Sequence, residues 1–338
     1  MSLQITSNSV VFPDATTLSS GVISASQLST GHPSWSTAGM LSSTGLSFSD
    51  KSTILTAPNN FGFKNRLING AFSVAQKGLS GIAGTVASPL TGTYPSVDRW
   101  YAYSTGGTVT TSQSASKGLN FLSVAGISSV SAVGIGQRIE AVNCADLAGS
   151  NAALSLVTSN SFLSSMSWIV SYAGSTDVWT TKTLIASGAL TINSTQQQFT
   201  TTFAIPTAAT TGIEVLFTTG AQTSGAWTLS NIQLEKGSTA TSFDYRPYGT
   251  ELILCQRYYE VLYKSYYGVI NTGPGYGGSA YYKVTKRVIP SIAMVNVQNS
   301  NFSAWVIPTV YTDSFSFYGT GTASTASYTN MFMVSAEL

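Results

Sequence analysis

Thirteen carboxylates, one histidine and two cysteines bound what this 338-residue chain could catalyse. Glycoside hydrolysis needs two carboxyl groups about 5–10 Å apart, yet no D-x-D, E-x-D or similar local pair occurs in the sequence. The histidine, His32, lies in a serine- and threonine-rich N-terminal stretch with too few apolar residues to form a core. One histidine so placed argues against a Ser-His-Asp triad and against a His/Cys zinc site. Cys144 and Cys255 are too far apart in the chain for a disulfide framework and read as two buried free thiols. The glycine run 273–278 lacks the Lys-Ser/Thr and helix that a phosphate loop requires. No catalytic residues are assigned and the chain is expected not to be an enzyme, although separated acids can converge in space.

Binding chemistry is better represented. Tyr263, Tyr266, Tyr267, Tyr276, Tyr281 and Tyr282 crowd around the glycine run. Tyrosine offers a flat apolar face and a hydroxyl at low entropic cost, which suits sugar rings and protein epitopes alike. Tyr276, Tyr266, Tyr267 and Tyr281 are the candidate receptor contacts. Tyr276, with glycines on both sides, is the one least expected in a core. The opposing reading makes alternate tyrosines strand residues that pack the domain or a seam between subunits.

The elements that must position these residues are mostly strands. Charged residues make up 8% of the chain, against about 25% in ordinary soluble domains. Ser, Thr, Gly and Asn fill the gap, as on strand surfaces rather than helix surfaces. Runs at 167–172, 199–205, 212–218 and 226–234 read as strands separated by turns, the signature of a sandwich or barrel. Later strands are expected at 313–318 and 330–334, and a loop at 273–278. One helix is expected from Thr250 to Tyr259, with Thr250 as N-cap and Leu252, Cys255 and Tyr259 on one face. So short a helix needs a tertiary partner, and these three residues are the candidate contacts with a second copy of the chain. Residues 1–64 hold short extended stretches at 9–12 and 52–55 but too few apolar residues for a core. Leu18, Val22, Ile23 and Leu28 suit an arm that orders against partners. The expected order is all-β: an N-terminal attachment arm (1–64), a jelly-roll sandwich (65–249), then a short helix with a smaller β domain (250–338).

Fifteen basic residues against thirteen acidic ones, without clusters, give no grip for a nucleic-acid backbone. No apolar run reaches the roughly 18 residues of a membrane span, and residues 1–6 lack the basic and apolar regions of a signal peptide. Neither nucleic acid nor membrane insertion is expected.

Asn65-Arg66-Leu67-Ile68-Asn69-Gly70-Ala71-Phe72-Ser73-Val74-Ala75-Gln76-Lys77-Gly78 resembles the N-x-L-x-N-G-x-F-x-x-x-Q-R/K-G opening of a module common in bacteriophage tail-fibre proteins. Asp98-Arg99-Trp100, Gln137-Arg138-Ile139-Glu140, 229–237, and the exit through 240–247 and Leu254-Cys255-Gln256-Arg257-Tyr258-Tyr259 follow in the order of that family. More loosely, Phe12-Pro13-Asp14-Ala15-Thr16, Arg287-Val288-Ile289-Pro290-Ser291 and Ser335-Ala336-Glu337-Leu338 are similar to its flanks. The resemblance implies a jelly roll similar to carbohydrate-binding modules, in a homotrimer mounted on a virion and made in the host cytoplasm. The arm would meet other tail or baseplate proteins, and the far end a host-surface glycan or protein. The alternatives are a structural tail component without a ligand, a glycan-degrading tailspike, or a free adhesin, which the missing signal disfavours. Such modules often carry Glu after the N-G-x-F phenylalanine to hold a structural calcium; here Ser73 stands there. Asn69, Asp98 and Glu235 could still supply oxygens, but no calcium and no other cofactor is expected. Phe72, Trp100, Trp168, Trp227 and Phe243 are the expected sandwich anchors, and Asp98-Arg99 a paired charge at the core edge.

Overall fold

Alternating apolar and hydroxyl-bearing residues place every second side chain on one face of a strand, and these faces close around two cores. The computed structural model describes residues 64–338 apart from 79, 84–91 and 117, together with six short strands before them. The chain divides into two compact units, Met1–Gly62 and Phe63–Leu338. In the first, Gln4–Thr6 (β1), Ser9–Val11 (β2) and Thr17–Ser19 (β3) form one antiparallel sheet. Met40–Ser42 (β4), Gly45–Ser47 (β5) and Thr53–Ile54 (β6) form another. Val22, Ile23, Leu28 and His32 lie outside the described residues.

The second unit opens with a sandwich of two antiparallel sheets. Ser80–Ala83 (β7), Val109–Ser116 (β9), Leu119–Ala125 (β10), Asn151–Asn160 (β12), Gln197–Ala204 (β15) and Ala226–Lys236 (β17) make a six-stranded sheet in the order β15-β12-β17-β10-β9-β7. Tyr101–Thr105 (β8), Ala132–Ile139 (β11), Ser165–Ser175 (β13), Val178–Thr191 (β14) and Ile213–Thr219 (β16) make a five-stranded one in the order β14-β13-β16-β11-β8. Between them Trp100, Trp227, Trp168, Phe217 and Phe72 are buried with the leucines, isoleucines and valines of both inner faces. Phe243, expected among the anchors, is half-buried outside this core and meets Tyr245 edge-on at 4.8 Å. The all-β architecture follows the reading of the sequence, and all four sandwich strands read from it fall inside β13, β15, β16 and β17 to within a residue or so.

A four-residue helix, Ala141–Cys144 (α1), follows β11. The second helix, Tyr248–Gln256 (α2), begins after Pro247 rather than at Thr250 and makes no side-chain cap. Its Glu251, in the first turn, accepts Asn69 N–H at 2.5 Å and pairs with Arg246. From α2 the chain passes into Tyr259–Val269 (β18), Gly273–Tyr281 (β19), Ser291–Ser300 (β20), Phe302–Val310 (β21), Ser314–Gly321 (β22) and Thr325–Ser335 (β23). These form two three-stranded sheets, β18-β23-β20 and β19-β22-β21. Phe302, Phe315, Phe317, Tyr328 and Phe332 fill the second core.

The glycine run is not a loop. It forms β19, paired with β22 across a register shift between Gly273 and Tyr276. A Cβ at Gly277 would stand 1.9 Å from the Phe317 carbonyl oxygen, and Gly273 and Gly275 adopt φ of 137° and 105°. The glycines serve a bulge and a close backbone approach, which in a sequence look the same as a turn.

Candidate adhesion surface

The residues of the family-like opening build a latch. Asn65 Nδ2 donates to the Ile232 carbonyl, and its Oδ1 accepts from Leu67 and Leu234 N–H. Gln137 closes a two-way pair with the Ile68 backbone at 2.7 Å each way. Asn69, at φ 58°, accepts Val74 N–H on Oδ1 and donates to the Val74 and Asp98 carbonyls. Trp100 Nε1 donates to the Asn69 carbonyl. These polar side chains satisfy backbone groups that no strand pairs.

Asp98 and Arg99 do not pair with one another as expected. Asp98 accepts Gln76 N–H and Nε2–H, at 2.7 and 2.5 Å. Burial pushes its carboxyl up to about 6, against the opposing pull of the Gln76 hydrogen bonds and of Lys77. Arg99, at φ 72°, lies over the Tyr258 ring and pairs with Glu337, because the residues after β23 fold back onto the sandwich. Tyr94 Oη and Arg138 Nη1 donate to the Leu338 carbonyl at 2.8 and 2.9 Å. Glu235 is occupied elsewhere, by Thr241 N–H and Oγ1–H and by Gln233. The oxygens named for a cation thus sit in two separate hydrogen-bond sets. Among the described residues no group of three or more His, Cys, Asp or Glu side chains is placed to hold a metal ion.

The α2 side chains are largely used within the chain. Cys255 is fully buried and Tyr259 nearly so; Lys77 Nζ stands 4.3 Å from the Tyr259 ring centroid. Neither is available to a second copy in this conformation, which corrects the expectation that α2 presents them outward. Leu252 is half-buried, and the exposed large hydrophobic residues of α2 are Tyr248 and Ile253. Burial also holds both cysteine thiols well above their usual range, Cys144 at about 12.

The four candidate tyrosines separate. Tyr276 is half-buried: its ring meets Phe302 edge-on at 6.2 Å and its hydroxyl accepts Asn271 N–H at 2.7 Å. It belongs to the packing, contrary to expectation, because the bulge turns it inward. Tyr266 faces the core side of β18, stacked 6.0 Å from Tyr328, with part of its ring still exposed. Tyr267 and Tyr281 are 82% and 71% exposed.

Alternation explains this division and finds residues that the tyrosine count missed. On β23, Ala326, Tyr328, Asn330, Phe332 and Val334 are buried. Their cross-strand partners on β18, including Leu262 and Tyr266, share that face. The opposite face carries Val261 beside Met333, Tyr263 beside Met331, Ser265 beside Thr329 and Tyr267 beside Ser327. It continues onto β20 through Ala293 and Val295. Tyr263 is 60% exposed and its hydroxyl donates to Met331 Sδ at 3.2 Å. The face contains no charged residue, and Ser265 Oγ and Thr329 Oγ1 share a hydrogen bond at 3.0 Å. Two aromatic rings and two thioethers flanked by hydroxyls can pack against apolar ring faces while hydrogen-bonding at their edges.

No protein-family model and no curated protein matches the chain. Among solved structures it is similar to a family-4 carbohydrate-binding module, at 12% identity and TM-score 0.34, over 50% of this chain and 98% of the other. It is similar to a family-11 carbohydrate-binding module from Clostridium thermocellum in complex with a mixed-linked tetrasaccharide, at 13% identity and TM-score 0.30, over 50% and 99%. It is similar to the enzymatically active domain of tailspike protein 4 from bacteriophage CBA120, at 12% identity and TM-score 0.35, over 51% of this chain and 21% of that one.

Proposed function

We propose that this chain is a non-catalytic adhesion subunit of a phage tail fibre that uses the outer face of the β18-β23-β20 sheet to bind a host-surface glycan or protein. The observation that carries this reading is an uncharged row on a paired sheet, in which Tyr263 and Tyr267 are exposed and Met331 and Met333 half-buried between them and the neighbouring strands. Exposed tyrosines on a rigid support lose little entropy when they contact a partner. The tail-fibre assignment rests on the motif order described for residues 65–259. The non-catalytic part is supported by the carboxylates: each one among the described residues accepts a hydrogen bond or joins an ion pair within the fold, Glu214 with Arg138 and Lys182 being typical. In the same reading the chain assembles as a homotrimer and its first 62 residues attach it to other tail proteins.

The test is adsorption. Tyr263→Ala with Tyr267→Ala removes the rings from exposed positions, so stability should stay within about 0.5 kcal/mol per site. A glycan array and host-cell binding with the purified chain should both lose signal at least tenfold. Undiminished binding by the folded double variant removes this face from consideration. A second reading, a structural tail component without a ligand, is favoured by the apolar residues Val261, Met331 and Val295 on the same face, which suit a seam between copies. In that case the double variant lowers the mass seen by light scattering.

A further inference from the structure

Between the family-like opening, the end of β11 and helix α2 lies a cavity of about 290 Å³. Arg66, Arg99, Arg138 and Arg246 line it, with Asn143 and Tyr258, and no carboxylate does. We infer that this cavity is an anion-binding site for a small oxyanionic molecule, a carboxylate or phosphate ester with a compact body, independent of the tyrosine face.

The charge balance favours an anion. The four arginines have counter-ions elsewhere: Asp146 for Arg66, Glu337 for Arg99, Glu214 for Arg138 and Glu251 for Arg246. Three of these carboxylates are shared with a second cation, namely Lys236 at Asp146, Lys77 at Glu337 and Lys182 at Glu214. Even with Asp98, which acts on Lys77, seven cations face five carboxylates. Donor geometry agrees. Arg99 is 1% exposed; its Nη1 is held by Glu337 and its Nη2 by the Arg138 carbonyl, while its Nε has no partner. Arg66 Nε is likewise buried without a partner. A buried guanidinium N–H without an acceptor costs about 1–3 kcal/mol, and an oxyanion supplies that acceptor with the fork geometry arginine prefers. The volume is at the lower end of small-molecule pockets, about 300 Å³, more than a bare ion needs. The Tyr258 ring and Leu254 provide an apolar wall for the body of the ligand.

Calorimetric titration of the full chain with inorganic phosphate, glucuronate and neutral glucose tests this. Glucuronate or phosphate should bind with millimolar or tighter Kd, weakening several-fold between 50 and 300 mM salt, while glucose gives no heat. Phosphate binding alone identifies a free-ion site; glucuronate binding alone identifies an acidic sugar. Arg66→Gln, at a side chain 28% exposed, should weaken binding at least fivefold with an unchanged melting temperature. Lys283→Gln, at an exposed lysine away from the cavity, should change nothing. Absence of heat with both anions, or equal affinity of the Arg66→Gln and wild-type chains, overturns the inference. Tyr263→Ala with Tyr267→Ala should leave anion binding intact, so failure of the adhesion reading and failure of this one are separable.

Discussion

Gly70 has no room for a methyl group: a Cβ there would lie 2.1 Å from the Ile232 carbonyl oxygen. Gly70→Ala should therefore destabilise the sandwich by about 3 kcal/mol, at the upper end for overpacking, as read from denaturant melts. β17 was legible as a strand, but its hydrogen bond from Ile232 N–H to the Gly70 carbonyl was not. Nor was the partner of Arg99, which is supplied 238 residues away. Asp98 carries a pH dependence. Its carboxyl titrates near 6 in the fold against 3.8 ordinarily, so between those values the native state keeps a proton that the unfolded chain has released. Its contribution is favourable below pH 4 and is lost as pH rises through 6. Relative to Asp98→Asn, the wild-type chain should lose up to about 3 kcal/mol of stability between pH 4 and 7. A constant difference between the two across that range would refute this assignment.

At the scale of the element, strands with clean alternation were legible because burial of one face writes a period of two into the sequence. β22 and β23 alternate without a break, and both were foreseen. The glycine run failed as a reading because the features that mark turns also mark bulges, and only the partner strand distinguishes them. The same limit misplaced Tyr276, whose inward turn depends on the register shift against β22. One position in β23 breaks the pattern of apolar burial. Asn330 is fully buried and neither atom of its amide has a hydrogen-bond partner. Asn330→Leu should raise stability by about 1–3 kcal/mol, the desolvation cost of an unsatisfied polar group, measurable as a higher melting temperature.

Across the whole described unit, charged pairs tie the C-terminal sheets to the sandwich. Glu337 reaches Arg99, Arg257 and Arg287 reach Glu140, and Arg287 Nε donates to the Ala336 carbonyl. Glu337→Ala leaves Arg99 buried without its counter-charge, which typically costs 3–5 kcal/mol. Calorimetry should show one unfolding transition for the wild-type chain and two for this variant, as the C-terminal sheets release from the sandwich. Little of this coupling could be read in advance, since ion pairs between distant segments leave no periodic trace. Strand order adds a consequence for biosynthesis. β23 is the central strand of its sheet, and β18 and β20, which flank it, do not touch one another. A nascent chain that has emerged through β22 therefore holds two edge strands waiting for a template still inside the ribosome, and an Arg99 still lacking Glu337. The sheet and the ion pair are both completed by residues 325–337. The interval before β23 emerges is therefore the one in which these strands are open to mispairing, or to pairing with a neighbouring copy on the same message.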